Sequence, residues 1–249
     1  MKTTLLRYSA ATAVLFLLWE GASVLLGEEL IPSPAAVLRA LQEALMNPDL
    51  ARHAAVSARR LAEALAVAIL TGFPLGLLFG HSPKADWLGA PITFITLPLP
   101  KIVLLPVFFT VFGLGDASRV LLIALATGFQ ILVIVREHAL KLDPSYERAL
   151  RSMGASRWER IRHVYLPAAL PSLFTALKAS AGTAMAVLFL AESFATDSGL
   201  GWLIMDAWGF GDNLRMFVGI LGMSVLGLFL YAAISLGERL CCSWMKPSS

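Results

Sequence analysis

Polar positions interrupt this chain at wide intervals, and most of what lies between them is apolar. Six apolar stretches stand out: about Leu5–Leu26, Leu61–Gly80, Trp87–Phe112, Arg119–Val135, Val164–Ala191 and Met216–Leu236. Most approach or exceed the roughly 20 residues a helix needs to cross about 30 Å of hydrocarbon. The pattern predicts an all-α polytopic membrane protein with six transmembrane helices. The third stretch is irregular, because Pro91, Pro98, Pro100 and Pro106 lie inside it. Each proline removes a backbone donor and disturbs a helix. Broken backbone is not tolerated against lipid, so this stretch must sit against protein. It is either a kinked span or a shorter span preceded by a surface helix. Lys2 and Arg7 before Ser9–Trp19 imitate a signal peptide. Apolar character resumes at Gly21–Leu26 after Glu20, so an uncleaved first span is expected. Between the first two spans, Ile31–Pro34 reads as a turn leading into a short helix over Ala35–Met46. The resulting organisation is a first span and following segment (1–56), a transmembrane core (57–240) and a short tail (241–249).

Composition agrees with the pattern. Hydrophobic residues make up 57% of the chain, charged residues 15%, and the mean hydropathy is +0.73. A soluble domain carries about 25% charged residues, so too little polar surface is available to cover six apolar helices. The net charge of +3 does not point to nucleic acid, because the basic residues concentrate in one connecting segment. With both termini inside, the segments 1–7, 81–86, 136–162 and 238–249 hold twelve of the 20 lysines and arginines. The opposite side holds six: Arg39, Arg52, Arg59, Arg60, Arg119 and Arg215. Inside loops are the positive ones, so cytoplasmic termini and an inner (plasma) membrane location are expected. Arg52, Arg59 and Arg60 run against this trend, as though the second helix began in an aqueous vestibule or along the surface. The adjacent Cys241 and Cys242 form neither a disulfide scaffold nor a zinc pattern. His53, His81, His138 and His163 are scattered over different loops and form no metal site. No phosphate-binding Gly-x-x-x-x-Gly-Lys-Ser/Thr loop occurs, so the chain is not its own ATPase, and no hydrolytic constellation makes it an enzyme.

The longest inside segment, 136–162, carries most of the information. Asp143 is placed to cap a helix, with Pro144 at its first position. Tyr146, Ala149, Leu150 and Met153 follow at helical spacing on one face, and Gly154 ends the helix. A second short helix starts near Ala155–Ser156, with Trp158, Ile161 and Tyr165 as apolar positions and Arg157, Arg160 and Arg162 turned to solvent or lipid phosphate. An elbow with an exposed apolar stripe docks on something. From the residues alone, a membrane surface and a cytoplasmic partner both fit.

The segment resembles the conserved cytoplasmic loop of ABC importer permeases, written Glu-Ala-Ala, three residues, Gly, then a downstream Leu-Pro. Ala149, Gly154 and Leu166-Pro167 match at the expected spacing. The motif glutamate does not: Arg148 stands in its place with Glu147 one residue earlier, and Leu150 replaces the second alanine. The likeness extends over nearly the whole chain and is closest to the nitrate, sulfonate and taurine branch. Trp19-Glu20, Pro32-Ser-Pro34, Gly72-Phe-Pro-Leu-Gly76, Phe112–Gly115, Ala191-Glu192 and Ser198–Gly201 occur in that branch's order. The resemblance implies the type I ABC importer permease fold and a pathway for a small anionic solute such as nitrate, a sulfonate or taurine. It implies a second copy of the permease, two cytoplasmic ATP-binding subunits that use ATP and Mg, and a periplasmic or lipid-anchored solute-binding protein. It implies no cofactor on this chain. The coupling residues it points to are Tyr146, Glu147, Arg148, Ala149, Leu150, Met153, Gly154, Ala155 and Pro167, within a coupling loop at 143–163. The same machinery in divergent members carries a vitamin precursor or flavin. Two other classes compete: an ion-coupled carrier, which needs titratable groups at midplane, and a nontransporting scaffold.

Charges within spans are costly and commonly face a pathway or a partner. Lys101 either attracts an anionic substrate or snorkels or pairs with a carboxylate; Lys178 either lines a pathway or pairs at an interface. Glu192 is a gate, an interhelical hydrogen-bond group or a simple boundary residue. Asp197–Trp202 forms an outer loop, which in related permeases shapes the gate and receives the binding protein. Ser198 and Gly199 are its candidate gate residues.

Overall fold

The computed structural model describes residues 2–245, without the side chains of residues 2–5, 8 and 245. Lys246 and the end of the 241–249 segment lie outside the described residues, as does the side chain of Lys2. The described residues form helices α1 (Lys2–Leu26), α2 (Pro34–Met46), α3 (Pro48–His81), α4 (Pro83–Thr96), α5 (Leu105–Phe112) and α6 (Asp116–Leu140). The chain continues through α7 (Pro144–Ser152), α8 (Arg157–Arg160), α9 (Leu166–Glu192), α10 (Leu200–Gly209) and α11 (Asn213–Cys241). Among the described residues five helices are long and apolar enough to cross a membrane, or six if the bent pair around α4 and α5 counts as one span. The all-α expectation holds, and the count of six holds with the bent pair taken as one span.

The main difference from the sequence reading is the length of α3. It begins at Pro48, well before the predicted Leu61, and its 34 residues extend about 50 Å. That exceeds the hydrocarbon thickness, so the polar start of α3 lies beyond the apolar portion of the same helix. This accounts for the anomalous arginines. Arg60 is buried, and its Nε and Nη2 lie 2.8 and 2.7 Å from Asp116 Oδ1 at the start of α6. Arg59 pairs with the other Asp116 oxygen and with Glu63.

The chain divides into two compact units. One comprises Met1–Ser57 and Glu192–Val225, the other Ala58–Ala191 and Leu226–Ser249. At the centre of the second unit α6 packs on α3 at unusually close range. A Cβ on Gly72 would lie 2.4 Å from the Gly128 carbonyl oxygen, one on Gly76 2.8 Å from the Leu132 oxygen, and one on Gly80 2.3 Å from Ala139 Cβ. Glycines four apart share one helix face, so they make a groove into which the α6 backbone fits. The third predicted span is broken by an 88° bend between Pro83–Thr96 and Lys101–Phe112. Pro98 and Pro100 lack the N–H groups that would continue the helix, and a 3₁₀ turn at Lys101–Leu104 starts the second arm.

Candidate functional site

The elbow is built as its residues dictate. Asp143 caps α7 by accepting from the Ser145 N–H at 2.8 Å, with Pro144 at the first position. That backbone donor holds the Asp143 carboxyl below the usual carboxylate range. α7 closes in a Schellman arrangement: Ala155 N donates to Leu150 O and Gly154 N to Arg151 O, both at 3.0 Å. Gly154 has φ +77°, which explains the glycine. α8 opens with a full capping box between Ser156 and Glu159. The stretch Ile161–Tyr165 then takes a π turn into α9. Both turns of the elbow are thus fixed by local hydrogen bonds.

One face of this elbow is open. Tyr146 is 59%, Met153 79% and Trp158 67% exposed, and Arg148, Ala149 and Ala155's neighbour Ser156 also reach the surface. Leu150 and Ala155 are half-buried, as is Pro167 at the start of α9. Glu147 points the other way. Its carboxylate lies 2.9 Å from Arg151 Nη2 and 2.7 Å from Arg160 Nη1, and the Tyr165 hydroxyl bonds to it. The Tyr165 hydroxyl, together with the two arginines, holds the Glu147 carboxyl below the ordinary glutamate range against the opposing effect of burial. Tyr165 in turn stacks on His81 at the end of α3, with ring centroids 3.8 Å apart. Arg160, expected to face solvent or lipid, is instead turned inward, because Glu147 claims it. Glu147 therefore ties α7, α8 and the π turn together, and Arg148 is the residue left on the exposed side.

A second cluster lies at the N-terminus of α10. Gly199 (φ +110°) precedes the helix and supplies no side-chain cap. Three successive amides find side-chain acceptors instead. Gly199 N donates to His53 Nδ1 at 3.1 Å, Leu200 N to Ser57 Oγ at 2.8 Å, and Gly201 N to Glu192 Oε2 at 3.0 Å. Ser57 Oγ donates onward to Glu192 at 2.7 Å. Glu192, His53 and Ser57 are all fully buried, and His53 stacks on Trp202. A carboxylate is favoured at a helix N-terminus, where the unpaired amides concentrate positive potential. A Cβ on Gly199 would lie 2.4 Å from Glu192 Cδ, so the loop closes directly over the carboxylate. Ser198 N bonds to Thr196 Oγ1 within the same loop. The sequence offers His53 only as one of four scattered loop histidines, whereas it lies within α3, and it does not single out Ser57. Their spacing of four on one helix was the available signal, but nothing near them in sequence names the amides they meet.

The two lysines within spans are both occupied. Lys101 Nζ donates to the carbonyls of Thr96 and Leu97, each at 2.8 Å, and lies over the Phe129 ring at 4.9 Å. The residue four beyond Thr96 is Pro100, which has no N–H to give, so the ammonium fills the end of α4. Lys178 pairs with Glu238 on α11. Arg119 was read only as a basic residue at a span boundary. It is buried, donating to Ala191 O at 3.0 Å and to Leu114 O and Gly115 O at 2.6 and 2.9 Å.

Long apolar helices and a broken span define a polytopic membrane protein, and its locked elbow carries an exposed apolar ridge. Residues 72–239 match the family described as binding-protein-dependent transport system inner membrane component, and the chain belongs to it. The taurine transport system permease protein TauC of Escherichia coli (strain K12) is 31% identical over 234 residues, covering 91% of this chain and 84% of that protein. The putative aliphatic sulfonates transport permease protein SsuC of Bacillus subtilis (strain 168) is 27% identical over 234 residues, covering 93% and 85%. The fold matches the inward-facing MetNI methionine ABC transporter, with a TM-score of 0.65 and 19% identity over 77% of this chain and 95% of that chain. The chain is thus the transmembrane permease subunit of an ABC importer, not an enzyme, and works with a separate ATPase and a solute-binding protein.

Proposed function

We propose that two copies of this chain form the translocation pathway for a small sulfonate-type anion, driven by a pair of ATPase subunits that dock on the elbow at 143–163. The names of the two sequence relatives, for taurine and for aliphatic sulfonates, support the cargo. The observation that carries the docking is the open face of the elbow. Tyr146, Met153 and Trp158 stand exposed on backbone fixed by a Schellman motif and a capping box. Exposed large apolar side chains on a rigid support fill pockets in a partner. Both termini and the elbow face the cytoplasm in this reading, and the ATPases, not this chain, bind ATP and Mg. Tyr146, Arg148, Ala149 and Met153 make the contact; Glu147, Leu150, Gly154, Ala155 and Pro167 hold its shape. Lys101 lies at the break of the third span and meets the anion, Lys178 braces α9 on α11, and Glu192 with Ser198 and Gly199 forms the outer gate.

The test is co-expression with the ATPase subunit of the same importer. The pair is expected to co-purify, and taurine or another sulfonate with its binding protein is expected to stimulate ATP hydrolysis in proteoliposomes. Replacing Met153 and Trp158 together by Ser should release the ATPase. Retention of the ATPase by that variant would overturn the docking face. Stimulation by a non-anionic solute, and by no sulfonate, would overturn the cargo.

A further inference from the structure

Between the end of α3 and the elbow lies a groove of about 490 Å³. One wall is apolar, with Pro74, Leu77 and Leu78 from α3 and Ile161 from the π turn. The other is cationic, with Arg151, Arg157 and Arg160 set against one carboxylate, Glu147. Glu147 is already divided between Arg151 and Arg160. Among the described residues Arg157 has no ion-pair partner, and the buried Nε of Arg160 has no hydrogen-bond acceptor. The groove therefore holds more positive charge than its own carboxylate balances.

The apolar wall continues onto an open surface. Pro74 and Leu78 are exposed on the flank of a helix long and apolar enough to cross a membrane. A ligand that satisfies both walls carries an anion at one end and hydrocarbon at the other. Inorganic phosphate would use only the arginines, and a neutral lipid only the leucines. Basic pockets where membrane helices meet the aqueous phase take anionic headgroups. We propose that this groove binds an anionic phospholipid. Its phosphodiester sits on Arg157 and Arg160, and its acyl chain lies along Leu77 and Leu78. The bound lipid bridges α3 to the elbow. This inference needs only the membrane-embedded chain, and it can be tested whether or not the ATPase docks as proposed above.

The experiment is native mass spectrometry of the full chain in detergent, titrated with phosphatidylglycerol, phosphatidylcholine or inorganic phosphate. The expected result is preferential retention of phosphatidylglycerol. Arg157→Gln is expected to weaken it about fivefold, the effect of one arginine near an anionic surface. Arg162→Gln removes the same charge from a residue outside the groove lining and should leave retention unchanged. Leu78→Asn should also weaken retention while leaving the arginines in place. Equal losses for Arg157→Gln and Arg162→Gln would mean diffuse charge attraction and overturn the site. Displacement of phosphatidylglycerol by inorganic phosphate at matched concentration, or no preference over phosphatidylcholine, would overturn it as well.

Discussion

Glu192 is fully buried, and its carboxylate accepts from Ser57 Oγ and the Gly201 amide. Removing the acceptor strands both donors, each at a cost of about 1–3 kcal/mol. Glu192→Ala is therefore expected to lower the thermal unfolding midpoint in detergent markedly, and Glu192→Gln, which keeps one carbonyl oxygen, by less. Equal midpoints for the two variants would contradict the bonding scheme. Glu147 makes a different prediction. Its carboxyl is held below the usual range, so its contribution is fully present above the ordinary glutamate value of about 4.3. That contribution is lost as the pH falls through the lower, folded-state value. Amide exchange over 144–165, taken relative to the intrinsic rate at each pH, should accelerate in that acid window in the wild type. In Glu147→Gln it should already be fast at neutral pH, with the acid step gone. The sequence identified both carboxylates as worth attention. It could not say which way Glu147 points, because Arg160 lies thirteen residues away and meets it only once Gly154 has turned the chain.

At the scale of elements, helix ends were the most legible features. Asp143-Pro144, Ser156 with Glu159, and Gly154 form the caps their residue types require. Gly154 sits at φ +77°, where an L side chain costs about 1–2 kcal/mol. Gly154→Val is expected to leave ATP hydrolysis measurable while transport per ATP falls severalfold; an unchanged ratio would exclude the elbow as the coupling element. The break in the third span was anticipated from its prolines, but not the residue that closes it. Lys101→Met keeps an unbranched side chain and removes both the cation over Phe129 and the donor to Thr96 and Leu97. Amides near the bend should then exchange faster, and anion transport should fall while the ATPase still co-purifies. Hydropathy marks only the apolar part of α3, and Arg52, Arg59 and Arg60 are the sequence signal for its polar start at Pro48. Hydropathy locates the part of a helix that lipid covers, and it is silent about a helical extension whose arginines pair with Asp49, Glu63 and Asp116.

At the scale of the whole molecule, the excess of basic residues on one side predicts a cytoplasmic C-terminus. Cys241 is exposed near that end. A membrane-impermeant thiol reagent is expected to label Cys241 in inverted vesicles and to leave it unlabelled in right-side-out vesicles of a Cys242→Ser background. The reverse pattern would invert the topology. The contiguous division at residue 56 meets a more involved arrangement, in which Glu192–Val225 groups with Met1–Ser57 and Leu226–Ser249 with Ala58–Ala191. Such grouping depends on contacts between residues far apart in the chain, which local pattern cannot supply.

The membrane class, the apolar stretches, the position of the elbow and its capping are legible in the chain alone. All of these follow from local composition and from hydrogen bonds between residues a few positions apart. Packing is what makes Glu147 clamp the elbow, His53, Ser57 and Glu192 hold the start of α10, Lys101 finish a broken helix, and glycines on α3 admit the α6 backbone. Burial leaves a polar group no water to fall back on, so it must take whatever partner the packing brings within reach. Which partner arrives is settled by helix-on-helix packing, and in this chain those partners lie as far as 146 residues apart.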